Sequence, residues 1–265
     1  MRVVVMEDYQ RAVEGLDAFR LLDGHVVVVH SARPHDLDER AAQIGDAEAL
    51  VLIRERTPVD EALLARLPSL RLICQTGRGI PHLDLDACTR RGIVVSFTEL
   101  RGTYRKATSE LTWGLIFAVA RHIPHEATRM REGGWQSTIG ITLAERTLGL
   151  VGLGRQGKHV LPVAKALGMK VIAWSPNLTD ERAAEAGVKR VSKEELFSTS
   201  DVVSIHLVLG ERTRNIIGAP DFARMKPTAI LVNTARGGLI DEPALIETLK
   251  QGRIDRKSTR LNSSH

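Results

Sequence analysis

The run Leu148-Gly149-Leu150-Val151-Gly152-Leu153-Gly154-Arg155-Gln156-Gly157 constrains this chain more than any other segment. A Gly-x-Gly-x-x-Gly pattern alone is weak. Here it follows an apolar run that reads as a strand and opens a stretch with helical periodicity, the context that gives it meaning. Gly152 permits a tight turn, Gly154 lets a backbone approach a pyrophosphate, and Gly157 lets helix and strand pack closely. A helix starting there offers unsatisfied N–H groups and a partial positive charge to phosphates. Arg155 adds a cation, and Gln156 sits in the same turn. The segment predicts a strand–turn–helix unit that binds a dinucleotide.

The surrounding sequence repeats the same rhythm. Short aliphatic or β-branched runs occupy residues 3–6, 26–30, 50–53, 70–75 and 93–96, separated by helix-like segments at 8–22, 36–44, 60–67 and 85–91. Near-continuous apolar strands alternating with helices imply a parallel sheet covered on both faces. A helix over residues 106–121 carries apolar or small residues on most of its circumference and is expected to be buried. A polar loop through Gly133, Gly134 and Trp135 follows. Beyond it, strands are predicted at 147–152, 170–175, 201–207 and 229–233, with helices at 156–167, 180–186, 193–198 and 242–252. The reading is an α/β protein of two doubly wound parallel-sheet domains, residues 1–100 and 101–254.

Composition narrows the function. The chain is 43% hydrophobic and 26% charged over 265 residues, enough for two modest cores. No apolar run reaches the ~18 residues of a membrane span, and the N-terminus lacks a secretory pattern, so a cytoplasmic protein is expected. The net charge of +5 is scattered and aromatics are only 4%, which argues against a nucleic-acid partner. Cys74 and Cys88 have no metal-like spacing and read as plain buried or half-buried thiols, with no metal site.

The last residues, Asp-Arg-Lys-Ser-Thr-Arg-Leu-Asn-Ser-Ser-His at 255–265, break the helix-then-strand pattern. They resemble a translated sequencing-library adapter and are expected to be a non-native tail. Without Asp255, Arg256, Lys257 and Arg260 the charge falls to 5 − 3 + 1 = +3.

Further motifs are Gly92-Ile93-Val94-Val95, Thr108-Ser109-Glu110-Leu111-Thr112-Trp113, Asp201-Val202-Val203-Ser204-Ile205-His206, Met225-Lys226-Pro227-Thr228-Ala229 and Asn233-Thr234-Ala235-Arg236-Gly237-Gly238-Leu239-Ile240-Asp241. With the glycine turn, these make the chain resemble the D-2-hydroxyacid dehydrogenase family over nearly all of residues 1–254. The resemblance implies a flavodoxin-like substrate domain followed by a Rossmann cofactor domain, and a homodimer. It implies that Arg236 faces a small 2-keto acid, where a guanidinium fork suits the planar carboxylate and the oxygen that gains charge on hydride arrival. It places Gly77, Arg78 and Gly79 at the substrate carboxylate. Thr108, Thr213, Thr234 and Ala235 become cofactor contacts, and His206 a wall of the nicotinamide pocket. Arg54 and Arg56 end a strand, where a substrate contact competes with a solvated ion pair to Glu55 or a nearby acid. His82, His122 and His125 read as surface or loop histidines. Trp135 resembles a position near the domain interface, with packing as its expected role.

Ser175 stands where an acid would hold the adenine ribose, so NAD is expected, with NADP as the alternative because that carboxylate is missing. The family continues past residue 254 to a glutamate and a proton-donating histidine, both missing here. The expectation is therefore a truncated chain that folds poorly and does not turn over. The alternative is a non-catalytic NAD(H)-sensing regulatory protein of the same fold; a weaker third reading is formate oxidation.

Overall fold

The computed structural model describes residues 1–77, 79–98 and 106–254, and the backbone of 259–261. The chain divides into two compact units, Met1–Arg101 and Gly102–Ser263.

The first unit holds strands β1 (Arg2–Met6), β2 (Val26–Val29), β3 (Ala49–Ile53), β4 (Leu72–Thr76) and β5 (Val94–Phe97). All pairs are parallel and the order is β2-β1-β3-β4-β5. Helices α1 (Leu37–Ile44), α2 (Glu61–Leu64) and α3 (Leu85–Arg90) connect them. Each is started by an aspartate, Asp36, Asp60 or Asp84, whose side chain accepts the backbone N–H three residues on. Such caps satisfy donors that helix geometry leaves open. The core is aliphatic: Val4, Leu50, Leu52, Leu63 and Ile73 are fully buried.

The second unit holds β6 (Thr147–Val151), β7 (Lys170–Trp174), β8 (Lys189–Arg190), β9 (Val202–Ile205), β10 (Ile230–Asn233) and β11 (Thr259–Leu261). Their order is β11-β10-β9-β6-β7-β8, again all parallel. Its helices are α4 (Ala107–Ala120), α5 (Ile123–Arg131), α6 (Arg155–Ala166), α7 (Asp180–Glu185), α8 (Lys193–Thr199), α9 (Ala219–Phe222) and α10 (Glu242–Lys250). Strands β9 and β10 are buried at every position, as central strands of a covered parallel sheet must be. This is the doubly wound order in which a dinucleotide crosses the reversal between β6 and β9.

The structure alters or adds local detail at five places. Residues 8–22 form two 3-10 turns, Val13–Gly15 and Asp17–Leu22, without a buried residue, so no apolar face sustains an α-helix there. The segment after α4 is not all loop: α5 forms from Ile123, with Pro124 in its first turn and Arg129 and Arg131 in its last. β8 and α9 are too short to announce themselves by periodicity. Trp135 is 75% exposed in the single chain; its carbonyl accepts from the exposed Arg129 Nε, and the Glu126 carboxylate accepts the Thr138 N–H just beyond it. Within the expected tail, Thr259–Leu261 pairs in parallel with Leu231–Asn233, using the backbone groups that β10 offers along its edge.

Candidate active site

In the second unit, β6 runs directly into the glycine turn. Gly152 has φ +105°, and a Cβ there would stand 2.9 Å from the His206 carbonyl group, so main chain meets main chain where the strand order reverses. Its N–H donates to Trp174 O at 2.8 Å, and His206 N–H donates to Val151 O at 2.8 Å. Gly157 lies against the Gly152 carbonyl, leaving no room for a side chain. Gly154 faces open space instead and is the N-cap of α6 without a side-chain bond. Among the described α-helices, α6 is the one whose first turn carries no acidic residue. Its uncancelled N–H groups therefore suit an outside anion. Arg155 is exposed and Gln156 half-buried in that first turn.

The other strand ends converge on the same edge of the sheet. Ser175 ends β7, half-buried, with its carbonyl accepting Leu178 N–H at 3.2 Å. His206 follows β9. Burial pushes its pKa down to about 4, and its Nε2 lies 2.9 Å from Ser204 Oγ. The imidazole is therefore neutral at physiological pH. After β10, the turn that presents Arg236 is shaped by Asn233: its Nδ2 donates to Arg236 O at 2.9 Å, and its Oδ1 accepts Ala235 N–H at 2.9 Å. The half-buried Arg236 sends Nη1 to Ala235 O at 2.9 Å. Thr234 is tied to the buried Thr112 of α4, oxygen to oxygen at 2.8 Å, and Thr112 also donates to Thr108 O. Thr213 braces its own loop, donating to Val208 O and accepting Gly210 N–H. Asn233, Thr112 and Ser204 carry positioning work that the sequence quoted only as motif letters.

In the first unit, the order reverses between β1 and β3, and charged residues collect at the carboxyl ends there. Glu7 and Asp8 are 1% and 2% exposed. Glu7 accepts Thr57 Oγ1 at 2.7 Å and the Tyr9 hydroxyl. Burial, then the Glu7 carboxylate, pushes the Tyr9 phenol up to about 12. Arg56 donates to Glu7 O at 2.6 Å and to Gln10, and lies 4.5 Å over the Tyr9 ring. Its guanidinium is thus a strut of the scaffold, bonded to a carbonyl and an amide rather than to the acid weighed from the sequence. Arg54 has φ +59°, a conformation that costs a residue with a Cβ on the order of 1 kcal/mol.

In the glycine loop, Gly77 N–H donates to Thr98 Oγ1 at 2.9 Å, and a Cβ on Gly79 would run into the Glu55 carboxylate. Arg78 lies outside the described residues. His82 is half-buried with neither ring nitrogen bonded among the described residues, and burial lowers its pKa despite Glu55. His122 is half-buried before α5, and His125 is exposed beside Ser137. Cys74 is half-buried, Cys88 buried, and burial raises both thiols.

Residues 113–258 match the family described as D-isomer specific 2-hydroxyacid dehydrogenase, NAD binding domain. The chain is 36% identical to a glyoxylate reductase of Aeropyrum pernix, covering 90% of this chain and 73% of that one.

The chain belongs to the D-2-hydroxyacid dehydrogenase family.

The chain is also 39% identical to a D-3-phosphoglycerate dehydrogenase of Methanocaldococcus jannaschii, over 90% of this chain but 45% of that one. It therefore spans about half the length of several curated relatives. Among solved structures, a phosphoglycerate oxidoreductase from Vibrio cholerae superposes with TM-score 0.90 at 35% identity, covering 100% of this chain and 87% of that one. A D-lactate dehydrogenase from Aquifex aeolicus, solved with NAD and lactic acid, gives TM-score 0.74 at 25% identity, covering 98% and 76%. The residues that match the family's NAD-binding domain lie within the second unit. Among the described residues, no helix is long and apolar enough to cross a membrane.

Proposed function

We propose that this chain forms the substrate-binding and cofactor-binding parts of an oxidoreductase that moves a hydride between NAD(H) and a small 2-keto or D-2-hydroxy acid. The observation that carries this reading is the turn after β10, where Asn233 fixes Arg236 at the carboxyl edge of the sheet that bears the acid-free α6. The nicotinamide supplies the hydride. Gly152, Gly154 and Gly157 admit the pyrophosphate. Arg236 binds the carboxylate and stabilises the oxygen that gains charge. His206 stays neutral and closes the pocket.

The test is NADH binding by fluorescence, with and without glyoxylate or hydroxypyruvate. Arg236→Gln is expected to keep NADH binding within about twofold. It should weaken the keto acid by ~10–100-fold, the 1.5–3 kcal/mol of a charge-assisted pair. Equal keto-acid binding in both proteins would sink the assignment. NADPH is the second reading. Arg182 of α7 reaches back to Asn177 O at 3.3 Å, close behind Ser175, where a guanidinium could receive a 2′-phosphate. A preference for NADPH that disappears in Arg182→Ala would establish it.

The chain is further proposed to act as a homodimer. Ile123, Met130, Trp135 and Ile139 are 51%, 59%, 75% and 93% exposed along α5 and the segment after it. Burying these four side chains against a second copy would take apolar surface out of water, the term that drives self-complementary association. Size-exclusion chromatography with light scattering should give twice the chain mass, and Trp135→Glu with Ile139→Asp should give the chain mass. An unchanged dimer in the double variant would move the interface elsewhere.

A further inference from the structure

Arg54 is held from both sides by the end of β4. Its N–H donates to Thr76 Oγ1 at 2.8 Å, and its carbonyl accepts Gln75 Nε2 at 2.5 Å. Gln75 is 2% exposed, and its Nε2 also meets Thr76 O at 3.3 Å. Two carbonyls facing one end of the amide fix that end as nitrogen. Its Oε1 is buried with no hydrogen-bond partner among the described residues, an arrangement that a freely chosen rotamer would avoid. Farther along the same loop, Thr57 and Arg56 are tied to Glu7. The loop after β3 is therefore pinned at both ends. A glycine would adopt φ +59° at Arg54 without this support. A left-handed residue with a long side chain persists only where its surroundings over-determine it, and such outliers gather at functional sites.

We propose that Gln75 is a positioning residue for Arg54: its buried amide holds the Arg54 main chain left-handed and so sets how the guanidinium is offered to an anionic substrate. The proposal rests on the reading of Arg54 as a substrate contact. Gln75 touches neither substrate nor cofactor; it acts through Arg54.

The experiment combines amide hydrogen exchange at Arg54 with binding of oxalate, a two-carboxylate mimic of a 2-keto acid, in the presence of NADH. Gln75→Leu keeps the volume and removes the donor. It is expected to cut Arg54 amide protection and to weaken oxalate about tenfold, leaving NADH binding unchanged. Arg54→Gly is expected to weaken oxalate at least as much, and adding Gln75→Leu to it should cause no further loss. Thr76→Val, at an exposed position, removes the other brace and should act in the same direction if Gln75→Leu fails to fold. Oxalate affinity lost in Arg54→Gly but untouched by Gln75→Leu and Thr76→Val overturns the brace alone. Oxalate affinity unaffected by Arg54→Gly overturns the substrate role of Arg54, and the proposal with it. Losses that add independently in the double variant overturn the coupling between the two residues.

Discussion

Replacing Gly157 with alanine is expected to damage both fold and cofactor site, whereas replacing Gly154 is expected to damage only the site. A Cβ on Gly157 would overlap the Gly152 carbonyl, a main-chain atom that cannot swing aside. Either α6 moves off the sheet or the turn opens. Overpacking of this kind costs about 1–3 kcal/mol, and a main-chain obstacle argues for the upper end. For a unit of this size that is a drop of roughly 5–10 °C in melting temperature. The displaced α6 N-terminus should also weaken NADH by about 100-fold, near 2.8 kcal/mol. Gly154 has φ −79°, which any residue adopts, and nothing stands within 4 Å of its would-be Cβ. Gly154→Ala should therefore melt like the parent, yet lose NADH affinity because its methyl occupies the space the pyrophosphate approaches. Thermal melts and NADH titrations on the two variants check both halves. A Gly154→Ala protein that binds NADH normally would mean the phosphates lie elsewhere.

The second large effect is an acid sensitivity centred on His206. Its folded pKa is about 4, pushed down by burial, against 6.5 in an unfolded chain. Above pH 6.5 both states are neutral and the native contribution is fully present. Between pH 6.5 and about 4 the unfolded chain takes up a proton that the folded one refuses, so stability falls as pH falls. Integrated over that window the loss is roughly 3 kcal/mol. His82, shifted in the same direction, adds a slope of the same sign from the first unit. Asp201 behaves differently. Burial raises it, but the Thr147 N–H and Lys226 hold it lower overall, so its contribution is lost only under more acid conditions. All three tryptophans, Trp113, Trp135 and Trp174, lie in the second unit, so their fluorescence reports it selectively. Urea midpoints should be level from pH 8 to 6.5 and decline toward pH 4.5. The difference between parent and His206→Gln should carry the slope. If both proteins lose stability in parallel, His206 is not the group responsible.

The contrast between legible and illegible features is physical. The glycine turn was readable because its three glycines answer to local geometry: a turn, an approach, a close packing. The helix starts at Asp36, Asp60 and Asp84 are equally local. The fold class followed from near-continuous apolar strands alternating with helices, and the family from motifs such as Asn233 to Asp241, which carries Arg236. What the sequence hid depends on contacts between distant residues. Thr112 meets Thr234 across 122 positions, and Gln75 inside an aliphatic strand looks like an ordinary strand residue. Arg54 and Arg56 were indistinguishable until the structure tied Arg56 to Glu7, Gln10 and Tyr9. Trp135, expected to pack by its resemblance to a position near the domain interface, is 75% exposed in the single chain, where the Glu126 carboxylate anchors the segment just beyond it.

The unfilled first turn of α6 reaches beyond catalysis. Helices such as α1, α8 and α10 carry an acid in the first turn and a capping side chain that accepts a free N–H, so their ends bring their own counter-charge. α6 depends on a molecule that the chain does not encode. Nucleotide that binds the native state alone raises its stability by the logarithm of the ratio of free nucleotide to Kd. Synthesis of the polypeptide and its survival are therefore separate variables. The thermal midpoint of the second unit should therefore climb with NADH concentration, and removing NADH should cost the chain stability as well as activity.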